Sequence, residues 1–297
     1  MPDTSGNTYG IARADRGYFV LGRSALQASP GTETGKVLAL QDGSGVSYPP
    51  KFLDVPGTAN NVLDVSEYLG LYYPSARVAV DVIADWFTTA NLNAWFMSRG
   101  VIRGQAGYDD LSVIGNGAIY SDGNRATALL GAKGDMLSLS SRQNDIVRCN
   151  MSIMGAARSE VTWEPVAAPL GSRASFAHVR FVSGVAGVID FQLQIMNNCA
   201  PNPIMGDGAG TAVTEINAGK PRFELSLKVD AKGVFPVYGT PIIFTITPPG
   251  GTVVTFTATL PRINDPDNLR KQGVRANQDF NVIAKSVDGV TNGLIIS

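Results

Sequence analysis

The chain has 297 residues, a formal net charge of −1 and only 16% charged residues, with 33 Gly and 17 Pro. An average soluble protein has about 25% charged residues. Interface cores are depleted in charge, so we expect part of this surface to meet other copies of the chain. The absence of a Lys or Arg block excludes stable nucleic-acid binding through phosphates.

Two cysteines, Cys149 and Cys199, are too few for a disulfide framework. No apolar run approaches the length of a membrane span, so we expect no membrane contact. The N-terminal sequence MPDTSGNTYG lacks the apolar core of a secretory signal. These features indicate a protein that is made in a reducing cytoplasm.

The first part of the chain, up to residue 86, alternates between predicted strands and segments without periodicity. Residues 1–15 are polar and contain Gly, and are predicted to form a flexible arm. Strands are predicted at 17–27 and 36–41, and again at 77–86. Between them, residues 46–76 are rich in Tyr and Pro and have little periodicity, which predicts a long excursion that is functional or covers a neighbour.

One helix is predicted after the strand at 77–86. Thr88 or Thr89 can N-cap it, and Gly100 can end it. At helical spacing one face carries Leu92, Trp95 and Phe96. An apolar face of this kind favours a helix that packs on a sheet.

Strand follows strand from residue 111 onward. The predicted strands are at 111–120, 126–131, 135–141, 145–155, 160–163, 175–182, 188–197, 222–230, 280–287 and 293–297. Alternation of apolar and polar residues over so many segments predicts a mainly β fold, an antiparallel sandwich or barrel with one flanking α-helix. We assign one β domain to 16–297, with a possible internal boundary at the Pro/Ala-rich connector 164–173.

The segment 244–261, FTITPPGGTVVTFTATLP, is predicted to be a hairpin with two different faces. Phe244 and Phe256 fall on an apolar face. Thr245, Thr255 and Thr257 fall on the other face, which carries hydroxyls and no charge.

Catalytic signatures are absent from the sequence. The single histidine, His178, lies in a predicted strand without partners at a recognisable spacing. GTETGKV at 31–37 has the wrong spacing for a phosphate-binding loop, and INDPDN at 263–268 lacks the closing Glu of a calcium loop. We therefore expect a protein that is not an enzyme and that uses no cofactor or metal.

Four stretches, in order, resemble the major tail tube proteins of long-tailed bacteriophages. They cover most of residues 46–297, whereas the first 45 residues fall outside the resemblance. The stretches are the Tyr- and Pro-rich segment with its helix ending TANLNAWFMSRGV, then DMLSLSSRQNDIVRCNMSIMGAARS, then VIDFQLQIMNNCAPNPIMGDGAGTAVTEINAGKPRFELSLKVD, and finally VVTFTATLPRINDPDNLRKQGVRANQDFNVIAK.

The resemblance implies a structural virion protein located in the phage tail. Subunits of this family join sheet edges into a closed β-barrel that spans subunits, with hexameric rings that stack into a tube through which DNA is ejected. The implied partners are other copies of the chain, the tape measure protein, and tail terminator or baseplate proteins. DNA would pass without stable binding.

A wall that lets DNA slide should lack Lys, because Lys binds phosphates by releasing counterions. Two polar strand faces are therefore candidates for the lumen wall. The first carries Asp190, Gln192 and Gln194 with Glu224 and Ser226, although Lys228 interrupts it. The second is the threonine face with Thr245, Thr255 and Thr257. The sequence does not decide between a lumen and an outward orientation for either face.

Two alternatives remain open at this point. One is another ring or shell component of such a particle, namely a tail terminator, baseplate or decoration protein. The other is a β-sandwich binding module, for which Tyr72, Tyr73 and Trp163 are available as surface aromatics.

Overall fold

The structure is a computed structural model that describes residues 18–23, 36–41, 43–47, 52–54, 67–69, 73–97, 116–121, 126–161, 171–203, 213–264, 277–285 and 292–297. These residues form a mainly antiparallel β structure with one short helix, as the sequence predicts. The predicted arm at 1–15, Gly100, and residues 164–170 of the connector lie outside the described residues.

The strands are numbered in chain order. The first half contains β1 (Tyr18–Arg23), β2 (Lys36–Ala39), β3 (Gly45–Ser47), β4 (Phe52–Asp54), β5 (Glu67–Leu69), β6 (Ser75–Asp81), β7 (Asn116–Ser121), β8 (Ala126–Arg142), β9 (Arg148–Met154) and β10 (Ala157–Val161). The second half contains β11 (Val179–Ser183), β12 (Ala186–Met196), β13 (Ala200–Pro203), β14 (Val213–Asn217), β15 (Arg222–Val234), β16 (Ile242–Ile246), β17 (Val254–Ala258), β18 (Leu260–Asn264), β19 (Gln278–Lys285) and β20 (Leu294–Ile296).

The largest sheet has 12 antiparallel strands. It divides into two parts, a side wing and a main wing, which are joined by the long strand β8. The first half of β8 pairs with β7 and β10, and β1 and β2 extend this side wing. The second half pairs with β9 and β12 in the main wing, whose strand order is β3-β6-β9-β8-β12-β15-β19-β18. Two hairpins, β4–β5 and β13–β14, form separate two-stranded sheets, and Ile216 of β14 packs against Met154 and Ala156.

A second sheet of four strands, ordered β11-β16-β17-β20, packs against the main wing. We call it the small sheet. Aromatic rings join the two sheets: the Phe191 ring of β12 lies 5.7 Å from Phe244 and 6.0 Å from Phe181. One continuous core cluster includes residues from both sides of the connector at 164–173.

The predicted helix begins where expected. The Thr88 hydroxyl accepts a hydrogen bond from the Asn91 N–H at 3.2 Å, which caps helix α1 (Thr89–Leu92). The helix then widens into a π-helical turn, Asn93–Met97. Leu92, Trp95 and Phe96 are all buried, and Phe96 lies against the main sheet at Gly134.

Four details of the predicted elements are wrong. The strand predicted at 77–86 is β6, which ends at Asp81, and residues 84–86 form a turn. The segments 126–131 and 135–141 form one strand, β8, because Ala132 pairs with β7 and Lys133 and Gly134 pair with β9, although Gly131 itself has a positive φ of +59°. The excursion at 46–76 contains regular structure in β3, β4 and β5. His178 ends a 3₁₀ turn (Phe176–His178) and lies before β11, not within a strand.

Candidate functional site: the two outer faces of the sandwich

The five polar residues singled out on β12 and β15 lie side by side on one face of the main wing, opposite the core. Gln192 is in register with Ser226, and Gln194 with Glu224. Their neighbours in sequence, such as Phe191 and Leu225, point into the core. We call this outer surface the polar face.

The centre of the polar face is a band without charge. It consists of two rows across neighbouring strands, Asn150–Ser138–Gln194 and Ser140–Gln192–Ser226–Asn281. Gln192 Nε2 donates a hydrogen bond of 3.1 Å to Ser138 Oγ. We name these residues the amide band, and their amides and hydroxyls offer hydrogen bonds without net charge.

Charged residues border the amide band in pairs of opposite sign. On one side, register neighbours alternate in charge in the order Arg142, Asp190, Lys228 and Asp279. Lys228 therefore lies between two carboxylate residues. On the other side, Arg222 forms an ion pair with Glu224.

The end of the polar face near β6 carries further ion pairs. Arg173 Nε lies 2.7 Å from Asp81 Oδ2, while Asp81 Oδ1 is buried without a hydrogen-bond partner. Asp145 faces Arg142 at 3.6 Å and Arg148 at 3.9 Å. The two pairs of Asp145 are largely exposed, so each contributes little to stability, whereas the Asp81 carboxylate is mostly buried and depends on Arg173 as its charged partner.

The threonine face is the outer surface of the small sheet. Thr245 is in register with Thr255, and both are half-buried. Thr257, however, lies between Ile243 and Ile295, which share its outward face. The sequence analysis missed these two isoleucines because their position next to threonine depends on pairing across strands.

The polar face and the threonine face point away from each other. The inner side of each sheet contributes to the same core, as the 4.9 Å stacking of Phe244 on Phe256 and the contact with Phe191 show. A single channel wall built from this sandwich can therefore present only one of the two faces to its lumen.

Large apolar side chains that are exposed collect on the side of the small sheet. Among the described residues, five lie on this sheet or on the connections at its two ends, and Val234 ends β15 beside them: Val182 (57% exposed), Val234 (59%), Val237 (59%), Tyr238 (64%), Val253 (54%) and Ile295 (38%). The segment 233–261, which supplies most of this side, contains no Asp, Glu, Lys, Arg or His.

Reactive side chains in the described part of the chain have structural roles. His178 Nδ1 accepts the Ser175 N–H at 3.0 Å and lies 2.9 Å from Ser175 Oγ, which closes a capping box around the 3₁₀ turn. Burial raises the pKa of the Cys149 thiol far above its ordinary range, which keeps it protonated and unreactive. The described residues contain no group of three or more His, Cys, Asp or Glu placed to hold a metal ion.

Of the three aromatics considered for a binding module, the structure describes Tyr73. Tyr73 is half-buried and packs against the small cluster of Met154, Ala156 and Ile216. Tyr72 and Trp163 lie outside the described residues. Within the described ranges, no helix is long and apolar enough to cross a bilayer.

No protein-family model matches the chain, and no curated protein matches its sequence. The functional argument therefore depends on the residues and on the geometry of the two faces.

Proposed function

We propose that the protein is a structural subunit of a phage tail tube, which self-assembles into stacked, hexameric rings and forms the channel for DNA ejection. The observation that carries this proposal is the contrast between the two faces of the sandwich. One face is broad, polar and uncharged at its centre. The opposite side holds the exposed large apolar side chains of the described residues.

The polar face is the better lumen wall of the two. Its amide band carries no Lys or Arg that would bind DNA phosphates and slow transit. The bordering charges alternate in sign along Arg142, Asp190, Lys228 and Asp279, so they offer DNA no continuous positive track. We therefore assign Asp190, Gln192, Gln194, Glu224 and Ser226 to the lumen wall as part of this proposal.

The threonine face is assigned to protein contact and not to the lumen. Ile243, Ile295 and Val182 accompany its threonines, and Arg180 is the charged residue among the strands of the small sheet. Apolar, charge-poor surface is typical of the buried centre of an interface. Thr245, Thr255 and Thr257 then belong to the outside of the tube or to a contact between subunits.

Ring closure also suits the size of the sheet. A β-barrel encloses water only with about 16–18 strands or more, so the channel requires several copies of the chain. The main wing ends in β18 on one side and the short β3 on the other. Pairing between copies would remove edges that otherwise promote aggregation.

Positively charged substitutions in the amide band test whether this face lines the lumen. Particles assembled with the double variant Gln192→Lys/Ser226→Lys should eject DNA much more slowly, because two lysines per subunit would bind phosphates at each ring. The measurement is the rate of DNA release from assembled particles, after microscopy has shown that tails form.

Two matched controls accompany this variant. Gln192→Glu/Ser226→Glu places negative charges at the same two positions. Because carboxylates do not bind phosphates, DNA ejection should remain fast. Thr245→Lys/Thr255→Lys adds the same charge to the threonine face and should not slow release from tails that form. Normal release with lysines on the amide band would contradict the lumen assignment.

A further inference from the structure

His178 is the single histidine of the chain, and its ring nitrogen Nδ1 closes the capping box of the 3₁₀ turn Phe176–His178. The Ser175 N–H points at Nδ1 at 3.0 Å, and Ser175 Oγ lies 2.9 Å from the same atom. A backbone N–H can only donate, so Nδ1 must be the acceptor. The geometry therefore requires a neutral imidazole that carries its proton on Nε2.

A capping box ordinarily has Glu or Gln at the position that His178 occupies, because a side-chain oxygen there accepts the N–H of the capping residue. An imidazole can replace that oxygen only while Nδ1 keeps its lone pair. When the ring takes up a proton, both nitrogens become donors, and Nδ1 then opposes the Ser175 N–H. Imidazoles ordinarily gain this proton at about pH 6.5. The box therefore contains a proton-sensitive member where Gln would be insensitive.

The turn is the corner at which the chain passes from the main sheet to the small sheet. Before the turn, Ala174 donates to the Val82 carbonyl just after β6 and accepts the Val147 N–H just before β9, both at 2.8 Å. After the turn, the His178 carbonyl accepts the Thr247 N–H at 3.0 Å, next to the end of β16. Opening of the capping box would therefore weaken the connection between the two sheets.

The other side of the turn is anchored without the imidazole. The Phe176 N–H donates to the Asp145 carbonyl at 2.8 Å, and the Phe176 ring lies 6.5 Å from the buried Phe191 ring of β12. These contacts do not change when the imidazole gains a proton. Protonation should therefore loosen the corner locally and leave the core beneath it packed.

The two carboxylates on the segments around the turn, Asp145 and Asp190, already have cationic neighbours. Asp145 pairs with one arginine of β8 and one of β9, and Asp190 is in register with an arginine and a lysine. The cations there are Arg173, which pairs with Asp81, and Arg180 on β11. β16 and the connection after it contribute no charged residue. Protonation of the ring therefore adds a positive charge close in sequence to Arg180, where both carboxylates are engaged.

We propose that His178 and Ser175 form a proton-sensitive clamp at the corner between the two sheets. The neutral ring closes the clamp, and the protonated ring releases the Ser175 N–H and opens the turn. This inference goes beyond the proposed function and does not depend on it, because it concerns one corner of a single chain.

Hydrogen exchange at the corner tests the clamp. The full chain is prepared without a histidine tag, and exchange of the peptide that covers residues 173–179 is followed by mass spectrometry at pH 8 and pH 5, with correction for the intrinsic rate at each pH. We expect protection of the Ser175 amide to be about five- to tenfold lower at pH 5, as the loss of one or two hydrogen bonds would give. The Thr247 amide should lose protection with it.

His178→Gln is the matched control, because the Gln side-chain oxygen can close the box and does not titrate. This variant should be equally protected at pH 8 and pH 5, whereas His178→Ala should lack the protection at both. If His178→Ala fails to fold, the comparison of the unchanged chain with His178→Gln still decides the question.

Nitrogen NMR of the single imidazole gives a second readout. At pH 8 its two ring nitrogens should show the signals of the tautomer with the proton on Nε2. A proton on Nδ1 at pH 8 would overturn the proposal. Equal protection of the unchanged chain at the two pH values, or a loss of protection at pH 5 that persists in His178→Gln, would overturn it as well.

Discussion

Gly134 is the residue at which the helix and the main sheet come closest. A Cβ at this position would lie 2.6 Å from the Trp95 carbonyl oxygen and 2.6 Å from Phe96 Cε1. Asn197, only 2% exposed, donates from Nδ2 to the carbonyls of Gly134 at 2.7 Å and Phe96 at 3.0 Å. These two residues join the π-helical turn to β8 and satisfy carbonyl groups that would otherwise be buried without a donor.

Gly134→Ala should therefore destabilise the protein. The added methyl group meets a backbone oxygen that cannot move aside as a flexible side chain would, and overpacking of this kind costs about 1–3 kcal/mol. The free energy of unfolding is measured by urea denaturation. Gly45→Ala is the control, because a Cβ there has nothing within 4 Å, and it should leave stability unchanged or slightly raised. Equal stability of Gly134→Ala and the unchanged protein would contradict the contact.

Cys149 should make stability depend on pH in the alkaline range. Burial raises the pKa of its thiol in the folded state above the ordinary value of 9.0, so the folded protein holds a proton that the unfolded chain releases. The stabilisation is complete below pH 9 and falls by about 1.4 kcal/mol per pH unit above it. Unfolding free energies between pH 8 and 10.5 measure this slope. Cys149→Val should show a shallower slope, and identical slopes would contradict the prediction.

The β16–β17 hairpin contributes one side to the core and the other side to the outer surface of the small sheet. Its inner residues, Phe244 and Phe256, stack at 4.9 Å and are fully buried, whereas Thr245 and Thr255 are paired on the outside. Alternation along each strand is enough to separate these sets, because successive side chains in a strand point to opposite faces.

Substitutions on the two faces of this hairpin should have very different effects. Phe256→Ala removes a buried ring and should destabilise by about 3–5 kcal/mol. Thr255→Ala, one residue earlier on the outer face, should change the unfolding free energy by less than about 0.5 kcal/mol, as surface substitutions generally do. Thermal or urea unfolding of both variants checks this. Similar losses from the two substitutions would show that the faces are assigned wrongly.

The sequence predicts the elements and their faces well where the evidence is local. Alternation at 188–197 and 222–230 correctly separates the polar residues from the core, and Thr88 marks the start of the helix. It fails at β8, where GAKGD has the composition of a turn and Gly131 a positive φ of +59°, but pairing with β7 and β9 carries the strand through. Pairing between distant segments is information that local composition does not contain.

The same limit applies to the candidate site. Asp190, Gln192 and Gln194 could be placed on one face from their own strand, but their position beside Ser138 and Ser140 depends on β8. The exposed Val237 and Tyr238 were not identified, since their neighbours Phe235 and Pro236 are buried and the segment has no clear period. A stretch free of charge from 233 to 261 was the signal that could have found them.

At the scale of the whole molecule, the sandwich combines a polar, centrally uncharged surface with a charge-poor side on which Arg180 is the charged residue of the small sheet. In the proposed assembly, the amide band would face a water-filled channel and exposed apolar side chains such as Tyr238 and Val253 would lie between copies. Low overall charge, 16% of residues, agrees with much surface in contact with protein.

Negative-stain electron microscopy of the purified full chain, over a series of rising concentrations, tests self-assembly most directly. The account predicts rings with a central hole that stack into tubes, with sedimentation velocity showing a matching shift from monomer to large species. Val253→Asp, in the connection between β16 and β17, should reduce this assembly, whereas Asn150→Asp on the polar face should not. A chain that remains a monomer at every concentration, with no rings in the micrographs, would contradict the proposed tail tube.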